Sequence, residues 1–266
     1  MKFEEDILKY FPCNICNLLK GKINEYIKKY IQEIRIRCNR PIILKLRNKD
    51  IIIDYKINQC ELLQILEKIC NNSIYAYKNQ ICNGFITIKG GHRIGITGTA
   101  VIEDGKVINI KYINGLNFRI AREVLNCSNK IIEQIIDKEN NTIYNTLIIS
   151  PPGKGKTTIL RDTIRKISNG MPEFNFSGKN FGVVDERGEI AAMYHGIPQN
   201  DIGIRTDVIE NVSKAKGMKM LIRSMAPDVI ACDEIGSKED VEAIKEVLLC
   251  RSKRNIYNAS GKQWKM

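Results

Sequence analysis

The passage Ser150-Pro-Pro-Gly-Lys-Gly-Lys-Thr-Thr158 brings together the residue types that surround a phosphate. Gly153 and Gly155 have no Cβ, so the backbone at both can turn its N–H groups inward around an anion. Lys156 can reach the outer phosphates of a nucleotide, and the Thr157 hydroxyl can take a place on Mg²⁺. Lys154 and Thr158 complete the loop and the first turn of the helix expected to run to Ile167, whose partly positive end faces the same anion. Ser150 stands where the usual pattern has its first glycine, a mild departure in a residue small enough to begin a turn. On its own, such a loop could be an ordinary turn.

A second passage argues against that. Pro227-Asp-Val-Ile-Ala-Cys-Asp-Glu234 reads as a buried strand of a parallel sheet that ends in two acids, at the edge where ligands of such sheets bind. Asp233 is then placed to hold Mg²⁺ through water, and Glu234 to polarise an attacking water. Phe181-Gly-Val-Val-Asp-Glu186 repeats the pattern. Asp185 or Glu186 could help position that water, or could accept backbone hydrogen bonds beside the site. Together these segments describe a nucleoside-triphosphate site.

The elements around them follow a simple order. From about Asn145 onward, strands alternate with helices, the pattern of an α/β domain with a parallel sheet. Residues 124–143 read as a connecting helix with Ile131, Ile132, Ile135 and Ile136 on one face, and Met171 to Asn180 as a loop. Residues 1–123 read as a smaller α+β domain. Strands are expected at Ile34–Arg37 and Ile42–Leu46, a helix over Glu61–Cys70, and an antiparallel set turning at Gly90-Gly91 and Asp104-Gly105. Within it, His92 sits at a glycine turn, and Arg93, Arg119 and Arg122 are either surface residues or cations for a neighbouring subunit's phosphate. Arg205 and Arg223 could likewise contact a nucleotide or a neighbour.

Composition narrows the classes. A chain of 266 residues with 43% hydrophobic and 27% charged content has room for about two globular domains. No apolar run approaches the roughly 20 residues that span a bilayer, and the acidic start, Met1-Lys-Phe-Glu-Glu-Asp6, does not suit a signal peptide, so a cytoplasmic protein is expected. The net charge of +12 is spread rather than clustered in a chain heavy in Lys, Ile and Asn throughout, which points first to the bias of an AT-rich coding sequence; nucleic acid is not expected, and weak attraction to a membrane surface is the better functional alternative. Nine cysteines include one CxxC pair, Cys13 and Cys16, but no second pair follows and only His92 and His195 could help, so free thiols are expected rather than zinc.

Five segments taken in order resemble a known family. Gly84-Phe-Ile-Thr-Ile-Lys-Gly-Gly-His-Arg-Ile-Gly95, Leu116-Asn-Phe-Arg-Ile-Ala-Arg122, the phosphate loop, Val184-Asp-Glu-Arg-Gly-Glu-Ile190 and Ile222-Arg-Ser-Met-Ala-Pro-Asp-Val-Ile230 are similar to the stage III sporulation protein AA family of endospore-forming bacteria, over about residues 30 to 249. That family is similar to the motor ATPases of type II secretion and type IV pili. The resemblance implies a RecA-like P-loop ATPase domain behind an N-terminal domain, with ATP and Mg²⁺ as cofactors and assembly into a homo-oligomeric ring. It further implies a peripheral position at the membrane around the forespore, where the ATPase would energise a channel built of other stage III sporulation proteins. Lys156 and Thr157 match the family's loop lysine and Mg²⁺ ligand, Asp233 and Glu234 its second acidic motif, and Asp185, Glu186 and Glu189 the acidic box of the secretion motors.

The departure is C-terminal. The family continues from the helix at Ser237–Leu249 into a strand ending in Thr and His that senses the γ-phosphate, whereas Cys250 to Met266 is rich in Arg, Lys and Asn and lacks strand character. Plausible codons for Leu249 to Ser260, read in another frame, spell a segment ending Thr-Thr-His. The expectation is a frameshifted, truncated chain, which the nucleotide sequence can test. Two other readings stay open, a nucleotide-binding scaffold with impaired hydrolysis and a nucleic-acid-dependent ATPase.

Overall fold

The computed structural model describes residues 3–151, 153–250 and 255–260. The chain divides into two compact units, one up to Arg122 and the other from Glu123 onward.

The first unit is a six-stranded antiparallel sheet with helices against it. Its helices are α1 (Phe3–Asp6), α2 (Cys13–Lys22), α3 (Glu25–Tyr30), α4 (Gln59–Ile69) and α5 (Lys78–Cys82). Its strands are β1 (Ile31–Arg37), β2 (Pro41–Leu46), β3 (Asp50–Lys56), β4 (Phe85–Thr87), β5 (Arg93–Glu103) and β6 (Lys106–Arg119), in the order β3-β2-β1-β6-β5-β4. Local chemistry sets the boundaries. Asn58 and Glu61 form a reciprocal capping box that starts α4. Asp104 and Gly105 both adopt positive φ, the backbone of a tight hairpin turn between β5 and β6. Period-two burial along β2 sends Ile42, Leu44 and Leu46 inward to meet Leu62, Ile65, Leu66 and Ile69 of α4 in one core, where Phe11 stacks on Phe118 at 4.9 Å. His92 belongs to this core rather than to a solvated turn: its Nδ1 accepts the Ala121 N–H at 3.0 Å, and burial pushes its pKa down to about 4.

The second unit is an α/β layer structure. Its helices are α6 (Ile132–Ile135), α7 (Lys156–Asn169), α8 (Lys214–Ser224) and α9 (Lys238–Cys250). A small hairpin joins β7 (Ile136–Asp137) to β8 (Thr142–Ile143), and β9 (Thr146–Ile149), β10 (Phe181–Asp185), β11 (Thr206–Glu210), β12 (Val229–Cys232) and β13 (Asn255–Ser260) form a sheet ordered β11-β10-β12-β13-β9. All four of its strand pairings are parallel. Parallel strands covered on both faces need apolar residues at every position, and β10 and β12 are buried throughout. Val183 and Ala231 face a core with Leu160, Ile164 and Ile167 of α7, while Val184, Ile230 and Cys232 face a second core with Met218 and Leu221 of α8 and Ala243 and Val247 of α9.

Two expectations need correction. Residues 124–143 are not one helix: only Ile132–Ile135 is helical, and the rest is turn and hairpin. The buried isoleucines Ile132, Ile135 and Ile136 need only one turn of helix and a short strand to face inward, and Asn126 and Asn141, both at positive φ, break the helical path. The segment Cys250–Met266 also contains a strand after all, because Asn255–Ser260 pairs with β12 on one side and β9 on the other. Parallel neighbours on both sides supply a full backbone ladder, which overrides the poor strand propensity of Asn and Ser. The sheet therefore has a strand after α9. The other residues of that segment, 251–254 and 261–266, lie outside the described residues.

Candidate functional site

Register puts the chemistry at one edge. Strands β9, β13, β12 and β10 run in parallel, with Leu147 opposite Asn258, Asn258 opposite Cys232 and Cys232 opposite Val184. The loop that leaves β9, the acids that follow β12 and those that end β10 thus emerge along the same C-terminal edge, where parallel sheets bind ligands.

The loop has the backbone a phosphate cradle requires. Gly153 and Gly155 both sit in the left-handed region, φ +73° and +84°, and a Cβ added at either would meet nothing within 4 Å. Conformation, not crowding, calls for glycine here. Gly155 caps α7, which opens with Lys156, Thr157 and Thr158, while Ser150 and Lys154 flank the loop. Lys156 Nζ donates to the Ser150 carbonyl at 2.8 Å and lies 3.4 Å from that of Pro151, so the ammonium is folded over the loop itself.

The acids fall into different environments. Asp185 is fully buried, and its carboxylate accepts the backbone N–H groups of Glu189 at 2.7 Å, Ile190 at 3.0 Å and Ala191 at 2.8 Å. Burial raises its pKa against those three bonds. Such a carboxylate organises the loop after β10 and is poorly placed to meet a water. Glu186 is ion-paired with Lys214, the first residue of α8, whose side chain is only 8% exposed. Of the two alternatives open for this pair, the geometry favours the structural one.

Asp233 and Glu234 differ sharply. Asp233 is buried, and burial followed by the charges of Glu189 and Asp185 pushes its pKa up to about 6. Glu234 is 42% exposed and lies 3.7 Å from the guanidinium of Arg187 at the rim, a loose pairing. The Thr157 hydroxyl and the Asp233 carboxylate are each hard oxygen donors of the kind Mg²⁺ takes, and the excess of negative charge around Asp233 is what a cation would relieve.

Arg161 and Lys214 escaped the sequence reading. Arg161, one helical turn after Thr157, donates to the carbonyls of Ile190 at 2.8 Å and Glu189 at 2.7 Å. Lys214 neutralises Glu186 and also favours ionisation of Asp233. Nothing in local spacing marks either one; their partners come together only once the chain is folded. Three of the five arginines that were candidates for contacts with a neighbour have intramolecular contacts. Arg122 donates to the carbonyls of Lys28 and Ile31, Arg205 to that of Ser168, and Arg93 lies 4.2 Å from the Phe85 ring.

This fold is that of an α/β ATPase. The chain superposes on the Legionella pneumophila ATPase DotB with a TM-score of 0.58 at 17% identity, covering 96% of this chain and 67% of that one. It superposes on the pilus retraction motor PilT, solved with bound ADP, with a TM-score of 0.58 at 14% identity over 90% of this chain and 66% of that one. Residues 1–263 match the family described as Sporulation stage III, protein AA. The chain is 39% identical over 243 residues to Stage III sporulation protein AA of Bacillus subtilis (strain 168), covering 91% of this chain and 77% of that protein. An uncharacterized ycf45 protein of Cyanidium caldarium is 31% identical over 134 residues, 49% of this chain and 36% of that one. The chain belongs to the stage III sporulation protein AA family.

Proposed function

We propose that this protein is an ATP-hydrolysing motor subunit with a RecA-like P-loop core, acting as a homo-oligomeric ring that energises a secretion-like channel during endospore formation. The observation that carries the reading is the shared sheet edge. The glycine-built loop and Lys156 lie at the end of β9, and Asp233 and Glu234 at the end of a parallel strand in the same sheet. On this reading Gly153, Lys154, Gly155, Lys156 and Thr158 hold the phosphates with Ser150 at the loop's entry, and Thr157 and Asp233 hold Mg²⁺, which neutralises phosphate charge when bound. Glu234, the acid left accessible to solvent, orients and polarises the attacking water. Asp185 and Glu186 act indirectly, by fixing the loop that faces the site. On this reading the ring sits at the cytoplasmic side of the forespore membrane, peripherally attached and in contact with other stage III proteins. Among the described residues no helix is long and apolar enough to cross a membrane.

A specific feature supports a second reading, a nucleotide-binding scaffold with impaired hydrolysis: β13 ends in Asn258-Ala-Ser260, where the resemblance implies Thr and His. Thermal unfolding with and without Mg²⁺–ATP tests the part both readings share. Nucleotide is expected to raise the Tm of the protein and not that of Lys156→Ala; equal shifts in both would reject the site.

A further inference from the structure

We propose that the dish between α3 and the β2–β3 turn of the first unit is a docking site for an anionic phospholipid surface. Tyr26 and Tyr30, one helical turn apart on α3, form one wall, with ring centroids 4.8 Å apart and planes inclined by 50°. Arg47, Asn48 and Lys49 of the turn form the other, buried Leu46 is the floor, and the open depression has a volume of about 530 Å³. Lys29 and Lys49 lie 5.5 and 5.9 Å from the Tyr30 and Tyr26 rings.

Two cations, Arg47 and Lys49, therefore line one depression, Lys29 stands against the Tyr30 ring beside it, and no carboxylate is in the lining. Glu25, the acid on the same helix, is engaged with Lys28 at 2.8 Å. Asp50 follows Lys49 in sequence but is not part of the lining. Arg47 and Lys49 have no ion pair among the described residues. Tyr26 is 57% exposed, and a ring with an apolar body and a polar tip, set among cations, suits the headgroup layer of a membrane. The net charge of +12 has the sign that draws the protein to such a surface. Nucleic acid fits less well, since it asks for cations tracking a backbone and rings offered as a stacking platform, not one dish walled by tilted rings.

The proposal deepens the peripheral-membrane part of the proposed function and leaves the ATPase site untouched, so either can fail alone. The test is co-sedimentation of the full chain with vesicles of phosphatidylcholine alone or mixed with phosphatidylglycerol. Binding is expected only to the mixed vesicles and is expected to weaken with salt. Arg47→Ala and Lys49→Ala should each lower affinity about fivefold, and the double variant about 25-fold. Tyr26→Ser should weaken binding further at high salt, where the apolar contact remains. Lys106→Ala, which removes the same charge from the β5–β6 turn, should leave binding nearly unchanged, and every variant should keep the parent's circular dichroism and nucleotide-induced Tm shift. Equal binding to phosphatidylcholine, equal loss with Lys106→Ala, displacement by millimolar glycerol phosphate, or tighter binding to DNA than to the mixed vesicles would each overturn the proposal.

Discussion

Arg161 donates from Nη2 to the backbone carbonyl of Glu189 at 2.7 Å, tying the helix that opens with Lys156 to the acidic loop after β10. The same guanidinium serves Ile190 through Nε, while Asp185 takes the N–H groups of Glu189, Ile190 and Ala191. One guanidinium and one buried carboxylate thus hold this short loop, with the Asn200 side chain also donating to the Ile190 carbonyl at 2.8 Å. The helix that follows the phosphate loop and the acidic loop after β10 are thereby tied together.

Removing the cation leaves the Glu189 carbonyl without the guanidinium donor, while that of Ile190 keeps the Asn200 amide at 2.8 Å. Arg161→Ala is expected to lower the free energy of unfolding by roughly 1–3 kcal/mol, read by urea denaturation. A loss below about 0.5 kcal/mol, the range of an ordinary surface change, would show that the loop holds itself.

Asp233 should be a liability to the free protein. Its pKa of about 6 lies above the value of about 4 of an unfolded chain, so the folded state favours the protonated form. Stability from this group is fully present below about pH 4 and is lost as pH rises through about 6. Asp233→Asn is therefore expected to stabilise the nucleotide-free protein at pH 7 by about 2 kcal/mol, with the gain shrinking towards pH 4. The same variant should lose the Mg²⁺-dependent part of nucleotide binding. Destabilisation at pH 7 would contradict the assignment.

Asp162 behaves in the opposite way. Burial raises its pKa, but hydrogen bonds from Ser128, Arg165 and Asn126 outweigh that and hold it at about 2. Its contribution, about 2 kcal/mol, is present above about pH 4 and lost as pH falls through about 2. Asp162→Asn should therefore unfold more easily at pH 7 while differing little from the parent near pH 2, as measured by thermal melts across that range.

How much of this was legible in the sequence depended on distance along the chain. The phosphate loop could be read because Gly153, Gly155, Lys156 and Thr157 act within a few residues of one another, and the acids of β10 and β12 because each closes its own apolar run. Arg161 and Lys214 could not, since their partners lie 28 residues away or more in sequence and only the sheet order brings them together. The isoleucines at 131, 132, 135 and 136 misled because that spacing suits a long helix and a single turn followed by a strand equally well. β13 was missed because a strand paired on both sides needs only its backbone, and its residue types gave no signal. β3, with Ile51, Ile52 and Ile53 in a row, has no clean alternation to announce it.

The glycines of the phosphate loop provide a milder perturbation. Gly153→Ala and Gly155→Ala should each cost roughly 1–2 kcal/mol of stability from the left-handed backbone alone, since nothing lies within 4 Å of either new methyl group. Calorimetry should find both variants folded and unable to bind nucleotide. Nucleotide affinity equal to the parent's would remove the loop from the site.

The central claim is that the loop at β9 and the acids at β12 form one hydrolytic site, and steady-state release of phosphate from ATP with Mg²⁺ tests it most directly. The protein is expected to turn over ATP, Lys156→Ala to lose binding and turnover together, and Glu234→Gln to bind ATP while hydrolysing it about 10²- to 10⁴-fold more slowly. Undiminished hydrolysis by Glu234→Gln, or by Lys156→Ala, would contradict the account.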